Sequence, residues 1–426
     1  MRDNLRTMYN FVWKIYCIYI IISVLLCIFG PWKYQNFDFI SKFYVTLYMA
    51  FFLLLVACCC KIAFRYHIKG YSIGKWNISG IKLLRYLVVI SFLVSTLYLV
   101  SNIQSNGFNT SFSSLAQSVA STYLERNDRV QYTPMLKIYI LLNGFFYISV
   151  VAVILYKRYF SLLYRLLILL TIIEELINNT FYIGSNIGFA RIFLLLAITT
   201  FFLMYKKGKK IDFRSFMKFA VAFLVFGFLI STFIYERIEV VGSFFLLNDI
   251  DEENFIFYIL PQELAYAVSL GISYLTQGYY GLSLCLQLPF DSCYGLGSSF
   301  AIRHIFEDMM GISDILTYPE KIERLYGIPA FAKWHTIFPW LASDFTFAGA
   351  LLIMGMIAMV WGRTLKDGLV TGNVFSITLF YWLTIIMLFV PANNQVFQTT
   401  TTMGAFIISF FMWIARGHIE MPGAVK

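Results

Sequence analysis

Charge is scarce in this sequence. Only 13% of its 426 residues are Asp, Glu, Lys or Arg, about half the usual share of a soluble domain. That deficit excludes a soluble multidomain enzyme and a disordered or collagen-like chain. Seven cysteines fall at no regular spacing, which excludes a disulfide scaffold and a zinc ribbon. No Gly-rich phosphate loop occurs, and no inner-side segment could house a nucleotide-binding domain, so an ATP-driven pump is excluded. The chain is instead 59% hydrophobic and 19% aromatic, with a mean hydropathy of +0.72. This is the composition of a polytopic membrane protein.

Runs of about 20 mostly apolar residues predict ten spans, at 9–29, 41–63, 83–101, 136–156, 161–178, 187–205, 216–235, 341–361, 373–391 and 397–415. An even number places both termini on one side. With that side cytoplasmic, 22 of the 33 basic residues lie inside, and only Asp3, Asp212, Asp367 and Glu420 join them. The positive-inside rule is then met at every loop. The net charge of +10 is thereby a topological signature, and no nucleic-acid partner is needed to explain it. The first run follows Arg2 and Arg6 as a signal peptide would. Its apolar stretch is long, however, and no small-residue cleavage site follows before Gly30, so it reads as an uncleaved span. The expected fold is an all-α polytopic membrane protein with about ten transmembrane helices.

Two outer loops are long, 102–135 and 236–340. The division is therefore 1–235 (seven spans), 236–340 (a large outer loop) and 341–426 (three spans). Within the large loop, 262–288 shows amphipathic helical spacing. Leu264, Val268, Gly271, Leu275, Tyr279, Leu282 and Leu286 fall on one face; Glu263, Ser269, Ser273, Gln277, Tyr280 and Gln287 fall on the other. This predicts a helix lying at the interface or re-entering it. An ordinary eleventh span is the alternative, and Gly278 and Gly281 would allow a break.

Several side chains carry chemistry. Arg191 lies at the outer mouth of the sixth span, where a charge needs a partner. Glu174 and Glu175 would pair it structurally; an anionic head group would pair it functionally. Arg237, Arg303, His304, Lys321, Arg324, Lys333 and His335 bring cations into the loop. Fixed cations meet the charge that develops on a departing pyrophosphate without any general acid, and arginine does so with a bidentate fork. His335, just before the eighth span, suits a general base acting on a sugar hydroxyl at neutral pH. Glu263 is the competing base. Asp344 reads as a capping or orienting group ahead of a catalytic one. Tyr274, Tyr279, Tyr280 and Gln277 offer rings and an amide to sugars, although aromatic wealth in such a chain is mostly lipid-facing. Cys285 and Cys293 share the outer side and are candidates for a bridge across Pro289. The cysteines 58–60 read as small packing residues at the inner end of a span. No histidine or cysteine spacing makes a metal site, and no cofactor is expected.

The stretch Tyr274-Leu275-Thr276-Gln277-Gly278-Tyr279-Tyr280-Gly281-Leu282 is followed by Leu288-Pro289-Phe290 and Tyr294-Gly295-Leu296-Gly297. Together these resemble the large periplasmic loop of O-antigen (oligosaccharide repeat-unit) polymerases. Trp334-His335-Thr336-Ile337-Phe338-Pro339-Trp340, leading through Ala342-Ser343-Asp344 to Gly349, is similar too. Local similarity covers roughly 263–363. The resemblance implies an inner-membrane glycosyltransferase of inverting type. It would move a growing glycan from undecaprenyl pyrophosphate onto a hydroxyl of a new lipid-linked repeat unit, with membrane lipid, a chain-length regulator and a flippase of the pathway as partners. It also implies a base at His335, with Arg191, Arg303 and Arg237 on the pyrophosphate. An O-antigen ligase shares this chemistry, and the Tyr-Leu-Thr-Gln-Gly stretch favours the polymerase. A flippase would need internal repeats and no hundred-residue loop. A polyprenyl-monophosphate sugar transferase would need acids in the first outer loop, where only Asp38 stands.

Overall fold

A computed structural model describes residues 2–35, 37–65, 78–106, 133–182, 187–208, 249–310, 315–331 and 333–420. Arg237 and the expected span 216–235 lie outside them. In chain order the α-helices are α1 Arg2–Phe29, α2 Phe39–Arg65, α3 Gly80–Asn106, α4 Pro134–Leu142, α5 Gly144–Leu155, α6 Leu162–Ile177 and α7 Ile187–Lys206. They continue with α8 Phe255–Ile259, α9 Gln262–Cys285, α10 Phe300–Met310, α11 Tyr318–Tyr326, α12 Ile337–Thr371, α13 Val374–Leu388 and α14 Thr400–Ile414. Two strands of two residues, β1 Ile78–Ser79 and β2 Ile419–Glu420, pair in parallel. The protein is an all-α membrane protein.

Six helical segments among the described residues are long and apolar enough to cross a membrane: Asn4–Phe29, Phe39–Arg65, Gly80–Ser105, Pro134–Leu155, Ile187–Lys206 and Ile337–Thr371. Three other expected spans form shorter helices. These are α6 with 16 residues and α13 and α14 with 15 each, below the ~20 that a perpendicular crossing takes. Residues 389–399, assigned by hydropathy partly to the ends of two spans, form irregular chain between α13 and α14. On α1 and α2, Ile18, Ile22, Leu25, Phe43, Phe51 and Leu54 are exposed. Apolar side chains presented this densely suit lipid rather than water.

The chain divides into two compact units. One draws on Met1–Tyr66, Gly227–Arg363 and Leu383–Thr400, the other on His67–Phe226, Thr364–Trp382 and Thr401–Lys426. In the first, α9 packs on α1, α2 and α11. The Tyr279 and Ser23 hydroxyls meet at 2.7 Å, and Tyr280 stacks on Tyr34 with ring centroids 4.5 Å apart. In the second, α3 packs on α4, α5 and α6. There Glu175, 2% exposed, accepts hydrogen bonds from Ser95 (3.1 Å) and Tyr139 (2.6 Å), while Thr96 donates to Glu174 at 2.7 Å.

Local chemistry sets the helix ends in the loop region. Before α11, Thr317 and Glu320 form a reciprocal capping box, and Gly327 ends the helix at φ +68°, a left-handed position that glycine takes without penalty. The helix α12 is interrupted at Thr346, where φ is 63° and ψ 166°. A β-branched residue at positive φ is strained, at a cost of about 1–3 kcal/mol. The Tyr48 hydroxyl donates to the Phe347 carbonyl beside this break at 2.8 Å.

Candidate functional site

The residues with chemical character in the first unit gather where α9 meets the segment leading into α12. Positions Tyr274, Gln277, Gly278 and Gly281 share one face, because residues three and four apart lie one above another on a helix. Residues 334–336 run along that face. Trp334 packs edge-on against Tyr274, with ring centroids 5.2 Å apart. A Cβ at Gly278 would sit 2.7 Å from the Thr336 nitrogen and 2.2 Å from the Pro391 carbonyl oxygen. One at Gly281 would sit 2.6 Å from His335 Nδ1. The two glycines, read from sequence as allowing a break, permit close approach instead, and α9 runs on unbroken.

His335 is 2% exposed. Neither imidazole nitrogen makes a well-formed hydrogen bond, and the ring stands edge-on to Trp340 at 6.4 Å. Burial pushes the imidazole down to about 4; the Pro329 carbonyl opposes that shift and the Lys333 charge adds to it. The group is therefore a neutral, sequestered imidazole at pH 7, able to accept a proton but a weaker base than a free imidazole, whose value lies nearer neutrality. On α9 and the segments that pack along it, Gln277 Nε2, Thr336 Oγ1, Trp340 Nε1 and Asn394 Oδ1 are also buried without hydrogen-bond partners. Buried polar atoms are seldom left unbonded, and such a concentration marks a site for water or ligand.

Asp344 has a different task. It accepts backbone N–H bonds from Gly295 (2.9 Å), Gly297 (3.1 Å) and Ser298 (2.7 Å), together with a short bond from the Ser298 hydroxyl. It orients the 293–298 turn, in which Tyr294 and Gly295 both take positive φ. The far side of that turn is held by Asn394, which donates to the Ser298 carbonyl at 2.8 Å.

The loop cations are largely committed. Arg303, 8% exposed, binds Glu307 at 2.6 Å and Glu320 at 2.7 Å. Burial alone would lower its guanidinium, but these two carboxylates outweigh it and hold the group above its ordinary value. The expected pyrophosphate contact therefore meets a correction: Arg303 ties α10 to α11 and has its fork filled by carboxylates. Lys333 pairs with Asp249, and Lys321 with Asp291 at 3.5 Å. Among the described residues no group of three or more His, Cys, Asp and Glu side chains could hold a metal.

The other expected site residues separate. Glu263 lies in the first turn of α9, about 27 Å of helix from Gly281, and so does not share a site with His335. Tyr279 is wholly buried and Tyr280 is 7% exposed. Their partners Ser23 and Tyr34 take the place of the expected sugar contacts, a correction that follows from α9 being packed on both sides. Cys285 and Cys293 are both free thiols; burial pushes Cys293 up to about 11, with Asp344 adding to it. Arg191 belongs to the second unit. It is half-buried in the first turn of α7, forms no ion pair among the described residues, and its carbonyl accepts from the Tyr381 hydroxyl at 3.1 Å. Glu175, its expected structural partner, is held by Ser95 and Tyr139 instead.

Trp340 and Asn394 were not legible as site residues. One reads as an interfacial anchor, the other as part of a short link between spans; the only signal was the polar content of 393–399. Family models, curated proteins and solved structures were compared with the chain, and none matches it. Fold and site together define a multi-pass all-α membrane protein with a buried polar site where α9 meets the start of α12.

Proposed function

We propose that this protein is an oligosaccharide repeat-unit polymerase of the O-antigen class, with about ten spans in a bacterial inner membrane and both termini cytoplasmic. It transfers the growing glycan from undecaprenyl pyrophosphate onto a hydroxyl of a fresh lipid-linked repeat unit at the periplasmic face. The observation that supports this most is His335, a buried, uncharged imidazole without a well-formed hydrogen bond, two residues before a membrane-spanning helix. In the reaction the acceptor oxygen attacks C1 of the donor sugar, the C1–O bond to pyrophosphate breaks, and the hydroxyl proton passes to His335. Pyrophosphate leaves with its electron pair and needs no acid, only cations. Arg191 remains the source of that charge expected from sequence, because Arg303 is ion-paired with Glu307 and Glu320.

The test is ladder formation by the purified full chain in detergent, given lipid-linked repeat unit. His335→Ala should lower the rate by about 10²–10⁴, and Arg191→Ala should cost about 2–4 kcal/mol of barrier. Near-normal ladders from His335→Ala would remove the base assignment. Single transfer to lipid A core without a ladder would identify a ligase. Impermeant labelling of Glu323→Cys in a cysteine-free background, on intact spheroplasts, checks the orientation; labelling only after permeabilisation would reverse it.

A further inference from the structure

Four polar atoms on three side chains define what the contact between α9 and residues 334–340 can bind. Gln277 lies on α9 between the position that meets Trp334 and the one that meets His335. Its Nε2, both His335 nitrogens and Trp340 Nε1 are all buried without a well-formed hydrogen bond, the Pro329 carbonyl standing near the imidazole, on side chains no more than 7% exposed. An amide and an indole N–H only donate; a neutral imidazole donates at one nitrogen and accepts at the other. The set therefore asks for a group that can accept several hydrogen bonds and donate one. A hydroxyl does both.

Charge narrows the choice further. The part of the α9 face that meets residues 334–336 carries Tyr274, Gln277, Gly278 and Gly281, with no carboxylate to hold a cation. The two described cations of the loop with the most buried side chains, Arg303 and Lys333, are ion-paired and so are not offered to an anion here. Resting on the polymerase reading, we infer that Gln277, His335 and Trp340 form the subsite for a neutral hydroxyl-bearing group, the acceptor sugar, and that pyrophosphate is bound elsewhere. Gln277 and Trp340 are substrate-binding residues that aim the hydroxyl at His335. Carbohydrate and water share this chemistry, and the experiment separates them.

The full chain in detergent is probed by saturation-transfer NMR with methyl glucoside, methyl N-acetylglucosaminide and, separately, sodium pyrophosphate. Binding of at least one glycoside is expected, unaffected by pyrophosphate. It should weaken about 5-fold in Gln277→Leu and again in Trp340→Phe, the effect of one lost hydrogen bond each. Gln277→Leu should also keep or raise the thermal midpoint, because it removes a buried donor that the unliganded fold leaves unbonded. A purely structural glutamine would not combine weaker binding with unimpaired stability.

No glycoside bound at millimolar concentration would mean water only and would overturn the inference. So would equal binding by wild type and both variants, or displacement by pyrophosphate. Glycoside binding with the expected variant pattern but no ladder from lipid-linked substrate would sink the polymerase reading and leave the subsite standing. A ladder with unchanged acceptor KM in Gln277→Leu would do the reverse.

Discussion

Replacing Asp344 separates an anchoring carboxylate from a catalytic one. Its oxygens receive three backbone N–H groups and the Ser298 hydroxyl. Hydrogen bonds to a charged acceptor contribute about 1.5–3 kcal/mol each. The Gly295 bond is exposed and the others half-buried, so solvent replaces the first at little cost and the rest in part. Asp344→Ala should destabilise the turn locally by about 3–5 kcal/mol. Asp344→Asn keeps one acceptor oxygen and should lose about half of that. Gly297 sharpens the expectation, since a Cβ there would fall 2.6 Å from Ser343 Cβ and 3.2 Å from Asp344 Oδ1. The turn is built tightly onto this carboxylate, with Asn394 and the Ser343 carbonyl as its further supports. Hydrogen–deuterium exchange of the peptide covering 293–299 reads the effect directly. Local opening should become roughly a hundred- to several-thousandfold more frequent in Asp344→Ala, with the spans unchanged. An Asp344→Asn protein whose turn stays protected while activity vanishes would refute the anchoring role and return the residue to catalysis.

Three other outcomes are expected. Gly281→Ala should cost about 1–3 kcal/mol through overpacking against His335, and Gly278→Ala more, because its clash is with the backbone at Pro391; thermal midpoints ranked the other way would contradict the packing. Glu320→Gln should cost about 3 kcal/mol, since it leaves buried Arg303 with Glu307 alone; a change within a few tenths would show the pair to be interchangeable with solvent. Because His335 titrates at about 4 in the fold against about 6.5 unfolded, the unfolded chain binds the extra proton between these values. Its contribution is complete above pH 6.5 and is lost as pH falls towards 4, about 3 kcal/mol in all. The midpoint of His335→Gln should accordingly vary less with pH across that window than wild type, and parallel slopes would show that another group titrates there.

Hydropathy located the long helices because lipid imposes length and apolarity on every residue of a span at once. It did not foresee that α6, α13 and α14 stop at 15 or 16 residues. Short runs flanked by mixed residues score as apolar whether they are helical or, like 389–399, irregular chain docked against protein. Residues such as Pro391 and Asn394 are ordinary loop residues by composition. Only the fold reveals that the Pro391 carbonyl touches α9 and that the Asn394 amide holds the 293–298 turn.

Charge pairing is the part of the site that sequence hides most. Arg303 and Glu307, one helical turn apart, could be matched from spacing alone, but the partnership with Glu320 of the capping box depends on where α11 lands. A cation counted as available for pyrophosphate thus becomes a structural one, and Glu175, expected beside Arg191, is bonded to hydroxyls instead. His335 could be singled out in sequence because histidine is rare here. Its usefulness rests on what surrounds it: glycines that bring α9 against the ring, and donors at Gln277 and Trp340 that the unliganded fold leaves unbonded. A buried imidazole with no well-formed hydrogen bond is costly to keep, and under the proposed function that cost would be recovered when the acceptor hydroxyl bonds it.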